Sequence, residues 1–288
     1  MELWLAVFFA LAFALTNGFH DAANAIATLV ATRGARPGPA VLLSAAFNLL
    51  GALLVGTAVA NTIAGIVTLP RAEAVAAIGS GVLAATLWNL GTWWRGLPSS
   101  SGHALVGGLT GAALAAGGLD AVRWGGLDGW RPVGVFGVLI ALGVSPFLGL
   151  GFAFGAVRLV RRLLRRAARR VQGPIRGAQW GMSAALSFSH GANDAQKAMG
   201  VIGALLVADG RLDTFGVPLW AMLACGLALT LGTSMGGWRI VRTIGRRIFR
   251  LAPVDAFASQ AASTAVILGS SYAGAPVSTT HVVASSVV

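Results

Sequence analysis

The sequence is poor in charge, and poorest in negative charge. Nine acidic residues stand among 288, and charged residues make up 10% of the chain, against roughly a quarter in a soluble domain. Lysine, tyrosine and cysteine occur once each. The lone Cys225 lies in an apolar stretch, which excludes a disulfide framework and a thiolate metal site. No Ala-x-Ala cleavage pattern follows the apolar N-terminus, so that segment reads as a first span and not as a removable signal.

What is abundant is apolar. Hydrophobic residues make up 56% of the chain and glycine contributes 40 positions, for a mean hydropathy of +0.77. Uncharged stretches of spanning length recur at Leu3–His20, Pro37–Pro70, Ala74–Trp94, Gly96–Leu119, Pro132–Val157, Gly177–Asn193, Thr214–Trp238 and Ala256–Val288. A bilayer span takes about 20 apolar residues. The pattern predicts an all-α, polytopic protein of the cytoplasmic (inner) membrane, its glycines allowing close helix contacts and broken helices at a cavity.

The net charge of +12 is local. Arg158, Arg161, Arg162, Arg165, Arg166, Arg169, Arg170 and Arg176 form one basic linker, and Arg239, Arg242, Arg246, Arg247 and Arg250 another. Short basic loops stay in the cytoplasm. Their expected neighbours are anionic lipid headgroups. The apolar spans exclude a nucleic-acid partner; a homo-oligomer stays open.

The first basic linker separates two related halves. Pro98-Ser99-Ser100-Ser101-Gly102-His103 matches Pro276-Val277-Ser278-Thr279-Thr280-His281, and the match extends back over Leu90–Leu97 and Leu268–Ala275. Gly18-Phe19-His20-Asp21-Ala22-Ala23-Asn24-Ala25 matches Gly191-Ala192-Asn193-Asp194-Ala195-Gln196-Lys197-Ala198, with Asn24 opposite Lys197. A weaker echo pairs Gly56-Thr57 with Gly232-Thr233. Paired repeats are a signature of secondary transporters. The expected organisation is a first repeat over 1–157 with a hairpin around 98–117, a cytoplasmic linker over 158–176, and a second repeat over 177–288. Short polar interruptions in corresponding places favour inverted topology and paired re-entrant helical hairpins.

The same motifs hold the candidate site. All four histidines (His20, His103, His190, His281), the only lysine (Lys197) and the acids Asp21 and Asp194 lie in them. Ionisable groups inside spans cost several kcal/mol unless paired or hydrated, which marks them as functional. Proline followed by a hydroxyl run suits a helix N-terminus, whose free N–H groups and dipole attract anions. Capping uses one hydroxyl per helix. Runs in both halves point further, to a tetrahedral oxyanion held between two such termini. The aspartates then need a cation, either sodium on the hard oxygens of Asp21, Asn24, Asn193 and Asp194 or a proton on a carboxylate. Lys197 can pair with Asp194 or meet the anion. Sulfate needs only donors, whereas protonated phosphate also needs an acceptor, which Asp21 or Asp194 supplies. Sulfate or another oxyanion permease remains the alternative, and a membrane enzyme acting on a phosphorylated substrate a more distant one.

These motifs, together with Asn17, Trp88-Asn89-Leu90-Gly91-Thr92-Trp93 and Ser189-His190, resemble those of the inorganic phosphate transporter (PiT) family. The likeness is closest to its bacterial low-affinity branch and runs from about Leu15 to the last residue. It implies an inverted-repeat fold and symport of inorganic phosphate with protons or sodium. It makes Ser99, Ser100, Ser101, Ser278, Thr279 and Thr280 phosphate ligands and Asp21, Asn24, Asn193 and Asp194 coupling residues. His20, His103, His190, Lys197 and His281 support them. No catalytic residue or resident cofactor is implied. The bacterial branch is associated with protons and with neutral metal–phosphate complexes, so the expectation leans to protons. Two departures stand out. Gly102 replaces a hydroxyl that is common in the family, and the second repeat is expected to be cut short at Val288, seven residues after His281.

Overall fold

The computed structural model describes residues 2–97, 99–129, 131–165, 172–235 and 252–287. Pro98, Arg166, Arg169, Arg170, the whole second basic cluster and Val288 lie outside the described residues. Ten α-helices follow one another among those described: α1 (Leu3–Ala31), α2 (Pro37–Leu54), α3 (Ala58–Ala64), α4 (Arg71–Trp94), α5 (Ser101–Gly117), α6 (Gly134–Leu163), α7 (Gln172–Ala208), α8 (Leu219–Ser234), α9 (Pro253–Tyr272) and α10 (Thr279–Val287). A two-residue antiparallel hairpin, β1 (Leu127–Asp128) with β2 (Arg131–Pro132), precedes α6. Among the described residues, five helices are long and apolar enough to cross a bilayer. The 37-residue α7, about 55 Å long at 1.5 Å per residue, is less apolar because its centre is polar. The molecule is an all-α, multi-pass membrane protein.

The first polar motif does not interrupt its helix. The uncharged stretch ends at His20, yet α1 runs unbroken through Asp21 and Asn24 to Ala31, and α7 runs through Ser189–Lys197 in the same way. A continuous helix satisfies every backbone group within the bilayer, so the polar side chains are carried on an intact frame. The stretch Pro37–Pro70, in contrast, is two helices. It breaks at Gly56, whose φ of +90° suits glycine alone.

Thr32 on α1 donates to Gln179 on α7 at 3.0 Å, while Asp21 lies beside His190 and Asp194. These two long helices therefore run antiparallel. Trp4 meets Trp220 at 6.1 Å between ring centroids and Gly18 meets Leu229 and Thr233, so α1 and α8 run parallel. Along α2 and α7, Ser44 meets Ser187 at 3.0 Å and Asn48 meets His190 at 3.2 Å, again parallel.

Both pairs close on glycine. A Cβ at Gly18 would fall on the carbonyl oxygen of Leu229, and one at Gly232 on that of Leu15. One at Gly51 would fall on that of Phe188, and one at Gly191 on that of Asn48. Gly51 thus does for α7 what Gly232 does for α1. The Gly56–Gly232 echo in the sequence is therefore displaced by five residues from the structural correspondence, because backbone contact fixes the pairing and not the adjacent threonine.

Four of the remaining helices form two hairpins. The base of α4–α5 is tied by Thr68 N–H to Ala121 O at 2.9 Å and Arg123 N–H to Ile66 O at 3.0 Å, beside the start of α6, where Val135 N–H donates to Arg123 O at 2.9 Å. In α9–α10, Ser259 Oγ donates to Ser286 O at 2.6 Å, and Asp255 meets Arg161 near the far end of α6 at 2.8 Å. Exposed as Arg161 is, that ion pair adds at most about 1 kcal/mol, but it fixes the direction of entry. The two hairpins enter from opposite ends of α6, and their tips meet. The return arm of the second hairpin begins as α10, nine residues long.

Gly18→Ala or Gly191→Ala should lower the stability of the protein in detergent by about 1–3 kcal/mol, the usual cost of overpacking. Gly91→Ala, with nothing within 4 Å of its Cβ, should leave it unchanged or slightly raised. Thermal unfolding of the three variants checks the contrast.

Candidate functional site

Two helices and two hairpin tips build the site. On α1, Asn17, His20, Asp21 and Asn24 follow the spacing i, i+3, i+4, i+7 and so share one face. On α7, His190, Asn193, Asp194 and Lys197 repeat that spacing. All eight are buried. Against them stand the N-terminus of α5, with Ser99–Ser101, and that of α10, with Ser278–Thr280.

Asp21 is surrounded mainly by neutral donors. Its Oδ1 accepts from Thr280 Oγ1 at 2.8 Å and Asn24 Nδ2 at 3.2 Å. Its Oδ2 lies 3.4 Å from Ser101 Oγ, whose proton goes to Asn17 Oδ1 at 2.7 Å. Imidazole nitrogens lie farther out, His20 Nδ1 at 3.4 Å and His190 Nε2 at 3.9 Å. Asp194 instead has a tethered cation. Lys197 Nζ contacts its Oδ1, and Oδ2 accepts from Thr279 Oγ1 at 3.1 Å and lies 2.8 Å from His190 Nε2. Asn24 and Lys197 are thus equivalent in sequence but not in charge. Gly102 is the matching change on the facing helix. It stands opposite Lys197, where a Cβ would lie 3.5 Å from Nζ, while its counterpart Thr280 serves Asp21. The ammonium takes the space that a longer side chain would share.

His190 joins the two carboxylates. Asn48 Nδ2 donates to Thr233 Oγ1 at 2.9 Å, and Thr233 donates to Leu229 O at 2.9 Å. Asn48 therefore turns its oxygen toward His190 Nδ1, 3.2 Å away, which must carry a proton. Nε2 then faces Asp194 and Asp21. Nothing in the sequence singled out Asn48. The signal for Asn17 was its place at the head of the first motif, one turn before Asp21.

The hydroxyl runs divide their work. Ser100 caps α5, its Oγ accepting from His103 N–H at 3.4 Å and lying 2.8 Å from His103 Nδ1. Ser278 caps α10 in the same way, from His281 N–H at 3.3 Å. The two histidine rings face each other at 5.3 Å between centroids, so the helix N-termini converge. Ser101 donates to Asn17 Oδ1 at 2.7 Å, leaving Asn17 Nδ2 buried with no partner among the described residues. Ser99 stands apart, on Thr92 at 3.1 Å and near His20 Nε2 at 3.3 Å. Asn193 also turns away from the carboxylates. Its Nδ2 donates to Ser271 Oγ at 3.1 Å and Ala275 O at 3.3 Å, and its Oδ1 accepts from Val277 N–H at 3.4 Å. Asp21, His190 and Asp194 bring ligand atoms within 4.8 Å of one another, as a metal site would.

Breaking the Lys197–Asp194 pair on one side leaves an uncompensated buried charge, at a cost of about 3–5 kcal/mol. Lys197→Met should therefore depress the unfolding midpoint in detergent strongly. Lys197→Gln combined with Asp194→Asn, which removes both charges, should restore most of it.

The chain matches the Phosphate transporter family over residues 17–288. It is 39% identical over 289 residues to a probable low-affinity inorganic phosphate transporter of Bacillus subtilis, covering 98% of this chain and 84% of that protein. It is 41% identical over 288 residues to one from Mycobacterium bovis, covering 99% and 67%. To the low-affinity inorganic phosphate transporter PitA of Escherichia coli it is 37% identical over 234 residues, covering 71% and 46%. A solved structure, the sodium-dependent phosphate transporter, superposes with a TM-score of 0.85 at 25% identity, covering 99% of this chain and 88% of that one. These relatives are named as transporters and not as enzymes. With the two motif helices, the paired hairpin tips and these likenesses in hand, the chain is a member of the phosphate transporter family.

Proposed function

We propose that the chain is a symporter of inorganic phosphate, in which a cation on Asp21 and the anion between the two helix N-termini are taken up together. The observation that carries this reading is the hydroxyl arrangement. Thr280 donates to Asp21 and Thr279 to Asp194, while Ser101, 3.4 Å from Asp21, donates to Asn17. These are the donors a phosphate would need. Carboxylate and phosphate therefore compete for one set of hydroxyls, and a cation on the carboxylate settles the competition. Once a proton or sodium neutralises Asp21, Thr280 can turn its O–H group to the anion, beside the caps Ser100 and Ser278 and the Asn17 amide.

Both cations have chemical support. Asp21 Oδ2, Ser101 Oγ and Asn17 Oδ1 offer hard oxygens close together, of the kind sodium takes, and the similar solved structure is named sodium-dependent. A carboxylate in such surroundings can equally carry a proton. Asp194 already holds the Lys197 ammonium, so a single mobile cation at Asp21 is the economical reading. Asn193 then serves by holding the second hairpin tip and not as a cation ligand. Ser99 supports His20 in the same indirect manner. The antiparallel α1 and α7 and the opposed hairpins favour two inverted-topology repeats, 1–157 and 177–288, with re-entrant tips at the membrane midplane.

Purified protein in proteoliposomes should accumulate radiolabelled phosphate when one inward cation gradient, sodium or proton, is imposed alone. Excess sulfate should compete weakly, because it offers no proton to an acceptor. Asp21→Asn should cut gradient-driven accumulation by roughly 100-fold, about 2.8 kcal/mol. Uptake that ignores both gradients, or that survives in this variant, contradicts the coupling role of Asp21.

A further inference from the structure

At the end of α6 away from Arg161, the helices line an open cavity of about 930 Å³. Its walls are α3, the first turns of α4 and α6, the last turns of α7 and the β1–β2 hairpin. Asp21, Asp194 and the hydroxyl runs do not line it. Its floor is the leg Gly274–Val277, the residues immediately ahead of Ser278. Thr62 Oγ1 donates to Gly274 O at 2.7 Å, and Lys197 Nζ donates to Val277 O at 3.1 Å. Asn193 bonds Ala275 and Val277 from below. One strand of backbone, latched by residues of the central site, thus separates the cavity from that site.

The charge of the cavity is one-sided. Arg71, Arg123 and Arg131 line it against a single carboxylate, Asp128. Arg71 and Arg123 make no ion pair among the described residues. The backbone of Arg123 is pinned on both sides, donating to Ile66 O at 3.0 Å and accepting from Val135 N–H at 2.9 Å, so its side chain projects from a fixed base. Arg71 opens α4 beside Gly210. The basic linker, by contrast, lies at the other end of α6, where short loops gather positive charge by topology alone. Arginines on this opposite face have no such reason to be there. Guanidinium forks suit phosphate oxygens in particular, and a cleft of one charge sign concentrates its counter-ion.

We propose that this cavity is a second oxyanion site, an outer antechamber in which Arg71 and Arg123 hold a phosphate group ahead of the central site. The proposal rests on the transport reading above. The phosphate group has two sources, free inorganic phosphate and the headgroup of an outer-leaflet lipid, since the exposed Ile140 and Val144 continue the wall toward the bilayer.

The test uses Arg71→Gln/Arg123→Gln, both at exposed positions, and Asp128→Asn as the opposite charge change. Initial rates of phosphate uptake are measured in proteoliposomes at low and high ionic strength. Native mass spectrometry in a phosphate-free maltoside records retained phospholipid, and equilibrium binding counts inorganic phosphate per chain. For free phosphate, the double variant raises KM about 5–10-fold at low salt with Vmax unchanged. That difference shrinks at high salt, where charges are screened within about 3 Å, Asp128→Asn lowers KM, and the weaker of two bound phosphates is lost. For a lipid, KM holds and the retained phospholipid disappears in the double variant. If KM, phosphate count and lipid retention all match the wild type, the antechamber is wrong. Wild-type protein that takes up no phosphate sinks the transport reading instead, and the binding and lipid measurements still decide the cavity.

Discussion

Two carboxylates buried between long membrane helices govern the rest of this structure. A charged group taken from water into a low-dielectric interior costs several kcal/mol even after the protein relaxes around it. Asp21 and Asp194 are both almost wholly buried, and they lie close enough for one imidazole to touch both. Much of the polar site can be traced to this burden. His190 stands between them, oriented by Asn48, which Thr233 orients in turn. Thr280, Ser101 and Asn24 serve Asp21, and Lys197 and Thr279 serve Asp194. The hairpins bring hydroxyls from far along the chain, across 80 and 259 residues for the two contacts to Asp21, because no local segment could supply them.

The pseudo-equivalence of the two motifs is broken at one pair of positions, and that break has chemical content. Asn24 and Lys197 occupy matching places one turn beyond their aspartates. The amide leaves the charge of Asp21 uncancelled by its own helix, whereas the ammonium cancels that of Asp194 permanently. On the proposed reading, Asp21 is thereby left for an exchangeable cation. Glycine at 102 fits the same logic, since a hydroxyl there would face an ammonium with no need of another donor.

The residues of the site were largely legible in the sequence, because ionisable side chains are so scarce that every one in an apolar stretch is conspicuous. The spacing of His20, Asp21 and Asn24, repeated by Asn193, Asp194 and Lys197, marks a common helical face. The hydroxyl runs after Pro98 and Pro276 mark helix starts, and α5 and α10 begin there. Other features were hidden for physical reasons. In a bilayer, polar residues look like an interruption of the apolar run, yet the helix continues because lipid offers no alternative partner for its backbone. Gly51 carries no signal beside Gly56 until two backbones are seen in contact. Asn48 is one asparagine among apolar neighbours, and only its distance from His190 gives it a role. The roles of Asn193 and Ser99 depend on which way a side chain turns, and spacing does not encode that.

Central to the proposed coupling is that a cation on Asp21 frees the Thr280 hydroxyl for the anion. Equilibrium binding of phosphate to the purified protein, by calorimetry across a range of sodium concentration and pH, tests it without any gradient. Phosphate should bind the native chain more tightly as the coupling cation is raised. In Asp21→Asn, where no charge holds Thr280, the affinity should no longer depend on that cation. A variant that still needs the cation to the same degree would place the coupling elsewhere and contradict the account.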